Sequence, residues 1–501
     1  MQPGPRFSRS RWWAAPALAL LATLGACASG DRPAAALELE PCKLESDGGL
    51  QSVEAECAAL PVPEDRNDPS GRTIELRVAV VRALSRDAAS DPLFVLAGGP
   101  GQAATQFYAA YAPAFSRVQR TRDIVLVDQR GTGGSNALRC GDALDPTDAL
   151  ETLDPAQLRA RAEQCLRALP GDPRHYTTSI AVQDLDEVRA ALGYPHINLY
   201  GVSYGTRVAQ HYLRRYPVQV RALVLDGAVP PEIVLGPDTS PEAQRTLDAI
   251  LDRCQTDPRC AAAFPDVVES FTALLARVRQ DPLALSVPDP TTARPVEMSF
   301  GVEQFGAALR LLSYSDETAA MLPLLLHAAA AEGHPEPLAA QFLMVARSLG
   351  SQLAEGMHNA VVCTEDVPFI DAEATATPAI TDGYLGTLQL EGLAAICAIW
   401  PHGALDQDLH APLRIDVPLL LLSGELDPIT PPRYAEQILA QASDALHVVL
   451  PGHGHGQLAD RCVSRLLAEF IASRSPQTLD PACAHESRPA PFFLDFTGTA
   501  P

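Results

Sequence analysis

Basic side chains are scarce in this 501-residue chain: 38 lysines and arginines stand against 61 aspartates and glutamates, a net charge of -23. A surface of that sign repels a phosphate backbone, which argues against nucleic acid as a partner, and acidity of this kind serves solubility. The sequence also lacks a P-loop, a dinucleotide fingerprint and close C-x-x-C pairs with histidines at zinc spacing, so neither cofactor nor metal is expected. The apolar run from Trp12 to Leu24 is too short for a comfortable membrane span. No internal repeat or low-complexity block stands out. What the chain does contain is 47% hydrophobic against 20% charged residues, enough to bury a substantial core.

Residues 1–26 read as an export signal, with Arg6, Arg9 and Arg11 ahead of the apolar run. The run ends in Leu24, Gly25, Ala26 and Cys27, which resembles the lipobox of bacterial lipoproteins. The resemblance implies a diacylated Cys27 at the new amino terminus. Because Ala28 follows the cysteine, it implies the outer membrane of a two-membrane bacterium, facing the periplasm or the cell surface. Residues 27–40 form the tether. Setting Cys27 aside leaves ten of the 11 cysteines, an even number in a chain bound for an oxidising compartment. They fall into neighbouring twos, Cys42 with Cys57, Cys140 with Cys165, Cys254 with Cys260, Cys363 with Cys397, and Cys462 with Cys483, and local pairing is expected.

A β-branched run from Ile74 to Val81 predicts an opening strand. Short apolar strands follow at Leu93–Leu96, Ile124–Val127, Ile197–Tyr200, Leu223–Leu225, Leu419–Leu422 and Val448–Leu450, with helical stretches at Val182–Leu192, Tyr204–Tyr216, Pro432–Gln441 and Leu458–Ser473. Apolar runs without alternation, spaced by helices, predict a mostly parallel sheet covered on both faces. Residues 229–410 break this rhythm. They predict a helical insertion, with no strongly apolar strand pair and helices over 243–254, 267–279, 302–312, 318–331 and 337–354. The expected fold class is an α/β-hydrolase: core in 41–228 and 411–485, a helical cap at 229–410 before the last two strands, and a tail at 486–501.

A serine hydroxyl is a poor nucleophile at neutral pH, so acyl transfer needs a base beside it and a carboxylate orienting that base. Gly201, Val202, Ser203, Tyr204 and Gly205 form a G-x-S-x-G between a strand and a helix, the context of a nucleophile elbow. The acid is expected just after a late strand, where Asp427 is preferred over Glu425 and the earlier Asp226. The base is expected in the loop after the final strand, which offers His455 and, as its rival, His453. The oxyanion donors are expected to be the amides of Tyr204 and, in the loop Ala97–Gly101, Gly99.

Ala97–Gly101 resembles the H-G-G-P-G motif of the prolyl aminopeptidase family, with alanine in place of histidine. Residues Asp128 to Ser135 match that family's D-x-R-G-x-G-x-S signature. Cys57 through Pro63, Glu64, Asp65 and Pro69, together with residues 395–485, resemble the tripeptidyl-aminopeptidase-like branch. The resemblance implies a peptidase releasing short pieces from free amino termini through an acyl-enzyme. It also implies a carboxylate in the cap for the substrate ammonium, and Glu365 and Asp366, beside Cys363, are the candidates. A carboxylesterase or lipase shares the same triad, and an inactive hydrolase-fold binding module is a further alternative. The lipobox generates a first prediction: intact-mass analysis of detergent-extracted protein will find a mature chain beginning at an acylated Cys27, and an unmodified amino terminus would exclude it.

Overall fold

In the computed structural model the described residues are 1, 37–141, 154–289, 292–371, 373 and 375–499, so the signal and Cys27 lie outside them. The strands of the main sheet are β1 (Glu40–Glu45), β2 (Ser52–Pro63), β3 (Thr73–Val81), β4 (Leu93–Leu96), β5 (Ile124–Val127), β6 (Ile197–Val202) and β7 (Val220–Asp226). After an insertion that contains β8 (Leu283–Pro288) and β9 (Pro295–Phe300), the sheet resumes with β10 (Leu419–Gly424) and β11 (Ala445–Leu450). Their order is β1-β2-β3-β5-β4-β6-β7-β10-β11. From β5 to β11 all pairs are parallel, while β1, β2 and β3 join as antiparallel neighbours at one edge.

The apolar runs without alternation have a direct cause. Phe94, Val125, Leu199, Leu223 and Leu421 pack into one hydrophobic cluster, while Val95, Leu126, Tyr200, Val224 and Leu422 pack into another. Successive side chains of a strand point to opposite faces, and here both faces are covered by helices, so nearly every central position is apolar. One cluster takes in the helices Thr178–Ala191 and Tyr204–Arg215; the other takes in Ala104–Gln119 and Arg461–Ser473. The edge strands β1 and β2 are absent from the sequence expectation. They are half-exposed, carry charges and alternate only weakly, so they lack the apolar signature of the central strands.

The segment between β7 and β10 is mainly helical, with its own hydrophobic cluster built around Leu247, Phe271, Phe305, Leu325 and Phe342. It departs from expectation in two places. Leu283–Pro288 and Pro295–Phe300 form an antiparallel hairpin whose first strand alternates buried and exposed residues, a period-2 signal weakened by the short strand. The expected helix over 318–331 is two, Asp316–Ala319 and Leu322–Ala330, with Pro323 in the first turn of the second, where its missing N–H does no harm. The tail docks on this segment: the Phe493 amide donates to the Ala320 carbonyl at 3.1 Å, and Phe492 lies under the Arg253 guanidinium.

Five disulfides join Cys42–Cys57, Cys140–Cys165, Cys254–Cys260, Cys363–Cys397 and Cys462–Cys483. They close loops of 6 to 34 residues, and a loop in that range contributes on the order of 3 kcal/mol by restricting the unfolded chain. Reduction is therefore expected to lower the melting temperature by ten degrees or more for roughly every two to three bridges lost. Calorimetry with and without reductant checks this, and an unchanged transition would count against it.

Candidate functional site

β6 runs into the helix Tyr204–Arg215 through Ser203, whose φ of 54° and ψ of -124° are sparsely populated for a residue with a side chain. Such a conformation costs on the order of 1–3 kcal/mol and persists only where the surroundings impose it. Here they do. The Ser203 amide donates to the Asp226 carbonyl at 2.9 Å, and the Thr206 hydroxyl donates to the Ser203 carbonyl at 2.6 Å. A Cβ on Gly205 would stand 2.4 Å from the Leu96 carbonyl oxygen, and one on Gly201 would stand 2.4 Å from the Gly205 oxygen. Only glycine fits at either place.

The loop after β4 lies against the serine. A Cβ on Gly98 would come within 3.1 Å of the Ser203 Cβ. Gly99, Tyr204 and Ser203 line one cavity, enclosing about 60 Å³, with Arg207, Asp238, Asp366, Thr430 and Tyr434 among its walls. The Tyr204 amide is the first of its helix and has no acceptor within it, as an oxyanion donor requires. The Tyr204 hydroxyl is engaged elsewhere, with Gln129 and Thr178.

The D-x-R-G-x-G-x-S stretch holds this loop in place. Buried Asp128 accepts from the Thr105 amide and hydroxyl and from the Gly134 amide, tying the start of the helix after the glycine loop to the turn after β5. Arg130 is fully buried, bidentate to Asp184, and donates to the carbonyls of Glu64 and His175. Its role is architectural, since a buried guanidinium needs this full set of acceptors.

The acid and base candidates meet. Asp427 is fully buried, and its Oδ2 lies 2.8 Å from His455 Nδ1. The carboxylate also accepts from the amides of Ile429 and Thr430 and from the Thr430 hydroxyl. Thr430 was not singled out in the sequence; its signal is its place three residues after the acid, where a hydroxyl folds back onto a turn carboxylate. Burial pushes the Asp427 pKa up, but the His455 charge and these hydrogen bonds outweigh it, so the carboxyl titrates below its ordinary range. Burial pulls the His455 pKa down, and Asp427 outweighs that in turn, so the imidazole titrates above its ordinary value. His455 also approaches Gly227, where a Cβ would meet its Cε1 at 3.1 Å. Ser203 and His455 therefore both flank the Asp226–Gly227 step at the end of β7.

The rivals are engaged otherwise. His453 Nε2 pairs with the Ser487 hydroxyl at 2.9 Å, and its Nδ1 lies 3.6 Å from Asp316. Glu425 is exposed and accepts from the Gly452 amide. Asp226 is fully buried and accepts from the Gln457 amide and the Tyr200 hydroxyl, so it anchors the loop that carries His455; burial raises its pKa to about 6.

The cap acids are buried and already partnered. Arg207 donates to both oxygens of Asp366, which also accepts from the Leu235 amide. Glu365 accepts from the Thr178 amide and hydroxyl, with Arg207 at 3.9 Å, and burial raises its pKa to about 7. Asp366 lines the cavity beside Ser203; Glu365 stands behind it. Among the described residues no group of three or more His, Cys, Asp or Glu is placed to hold a metal.

Glu365 makes a testable contribution to stability. Its folded-state pKa lies above the ordinary 4.5, so the native state holds a proton that the unfolded chain releases first, and stability falls as pH rises from about 4.5 to about 7. Glu365→Gln is expected to remove a loss of roughly 3 kcal/mol over that window. Urea denaturation of both proteins from pH 4.5 to 7.5 checks it; parallel curves would contradict it.

Residues 91–258 match the family model described as the alpha/beta hydrolase fold, and residues 382–483 match that of TAP-like proteins. The chain is 32% identical over 191 residues to a tripeptidyl aminopeptidase of Streptomyces coelicolor, covering 35% of each chain. It is 27% identical over 271 residues to the serine protease Hip1 of Mycobacterium tuberculosis, covering 51% of this chain and 48% of that one. A carboxylesterase B of Mycobacterium tuberculosis is 29% identical over 265 residues, 48% of this chain and 50% of its own length. The matches thus span between a third and a half of these relatives. The sheet order, the strand–serine–helix turn and the two family matches agree: the chain has the α/β-hydrolase fold and carries a TAP-like segment towards its C-terminal end.

Proposed function

We propose that the protein is a serine exopeptidase that releases short pieces from free peptide amino termini through an acyl-enzyme. The observation that carries the reading is the Asp427–His455 pair set against a serine held at positive φ. Ser203 Oγ attacks the scissile carbonyl as His455 takes its proton, and the tetrahedral oxyanion is met by the amides of Tyr204 and Gly99. His455 then gives that proton to the leaving amine nitrogen as the C–N bond breaks. Water, deprotonated by His455, releases the acyl group. Asp427 holds the imidazole in one tautomer and balances its positive charge.

Similarity to tripeptidyl aminopeptidase supports an amino-terminal substrate, and a substrate ammonium needs a carboxylate once desolvated. Asp366 at the cavity wall, with Glu365 behind it, supplies two acids against the single Arg207. The surplus negative charge, present once Glu365 ionises, suits a cation. An esterase is the second reading, favoured by the similarity to carboxylesterase B. We further propose export and anchoring through Cys27; among the described residues no helix is long and apolar enough to cross a membrane.

The comparison of free with blocked peptides decides between these readings, and two further measurements test the triad that both share. Ser203→Ala is expected to stay folded and lose several powers of ten in turnover. Free peptide amides should be cleaved while acetylated ones are refused, and Glu365→Gln or Asp366→Asn should lower kcat/KM for free peptides by roughly 2–5 kcal/mol in transition-state terms while sparing simple esters. The rate should fall below a pH somewhat above 6.5, as His455 takes up the proton that disables it as a base. Equal rates on free and blocked peptides would overturn the exopeptidase reading, and full activity in Ser203→Ala would overturn the nucleophile.

A further inference from the structure

Helix Val302–Leu312 of the insertion presents Arg310 towards the base. Arg310 Nη2 donates to the Tyr314 hydroxyl at 3.0 Å, and its guanidinium carbon lies 5.7 Å from the centre of that ring. Tyr314 in turn stands edge-on to the His455 ring, 5.4 Å between centroids, and its carbonyl accepts from the His455 amide at 2.6 Å. Arg310 is thus fastened to the base through one side chain. In a chain with 61 acidic side chains, this half-buried guanidinium forms no ion pair among the described residues, and its buried Nε has no hydrogen-bond partner.

A guanidinium that is partly withdrawn from water and has no carboxylate beside it gains from a ligand that completes it. Arg207, by contrast, is fully matched by Asp366. The charge of Arg310 also reaches the site: burial is the largest influence on His455 and on His358, which faces the Pro100 carbonyl, and Arg310 further disfavours protonation of both. Its charge is therefore felt both at the base and at His358 beside the glycine loop.

The reaction sets which part of a substrate lies there. His455 must hand its proton to the leaving nitrogen, so the leaving group passes over the imidazole. We infer that Arg310 binds a carboxylate carried by the leaving group, which makes short peptides with a free C-terminal carboxylate the preferred substrates. The inference rests on Ser203 and His455 acting as nucleophile and base. Each residue of the leaving peptide adds about 3.4 Å of reach, so about three extended residues bridge the spans from imidazole to Tyr314 and from Tyr314 to Arg310 laid end to end. A planar guanidinium receives such a carboxylate through two parallel hydrogen bonds.

The test uses the full chain and peptides cleaved after the same amino-terminal piece, with leaving groups of one, two and three alanines ending in a free carboxylate or an amide. A third set places an aspartate in an amidated leaving group, which separates an acidic side chain from a chain terminus. The parent should favour acid over amide by roughly tenfold in kcat/KM at the best length, Arg310→Met should bring the ratio to about one, and Arg310→Lys should retain part of it. A ratio near one in the parent, or a ratio kept in Arg310→Met, overturns the inference; a larger gain from the aspartate set overturns the assignment to the chain terminus. Should no peptide be cleaved, the exopeptidase reading fails, and the same ratio is read from acyl esters of glycolate against glycolamide. There a charge preference lost in Arg310→Met supports the carboxylate site, and no preference overturns it.

Discussion

The approach of β4 to the start of the helix after β6 leaves no room for a side chain, and the geometry of the site depends on that clearance. Gly205 faces the carbonyl of Leu96, Gly201 faces Gly205, and Gly98 faces Ser203 itself. A Cβ on Gly205 would push β4 and the helix apart and one on Gly201 would press on the first turn of that helix, so that Ser203 would relax out of its positive φ, while at Gly98 the contact is tight but not closed. The same closeness brings the glycine loop beside Ser203. Asp128 and Arg130 serve this arrangement from behind by fixing the loop and the turn to one another.

The insertion does more than cover the sheet. The Tyr314 carbonyl takes the amide of His455, the Arg245 guanidinium donates to the carbonyl of Asp427 at 3.1 Å, and a Cβ on Gly454 would strike Tyr314 at 2.3 Å. Asp427 and His455 are therefore held from both sides, by the sheet through Asp226 and Thr430 and by the insertion through Tyr314 and Arg245. Movement of the helix bearing Arg310, or of Tyr314 two residues past its end, would be felt at the imidazole directly. The carboxylates at the cavity are subject to the same economy, since Asp366 and Glu365 are both braced by Arg207 and by backbone amides before any substrate arrives.

Local signals carried much of the architecture. Runs such as Leu93–Leu96 and Ile124–Val127 are apolar at every position because both faces of the sheet are covered, and that pattern is visible without coordinates. The elbow was legible for a similar reason: two glycines around a serine, between strand and helix, state a steric requirement in residue types. The nearest-neighbour pairing of the cysteines follows from short loops. The edge strands β1 and β2 and the hairpin of β8 and β9 were illegible, since half-exposed strands with charged faces resemble loops in composition.

The sequence by itself determined the fold class, and it singled out Ser203 with a short list of acids and bases, because each follows from the chemistry of a few adjacent residues. Only the tertiary structure decided among candidates that are equivalent as side chains. His455 differs from His453 because one meets Asp427 and the other turns to Ser487, and Asp427 differs from Asp226 because one reaches an imidazole and the other an amide of the neighbouring loop. The engagement of Asp366 by Arg207 and the isolation of Arg310 were likewise beyond the sequence. Arg207 and Asp366 stand 159 positions apart, and pairing over such a distance is set by packing rather than by local chemistry.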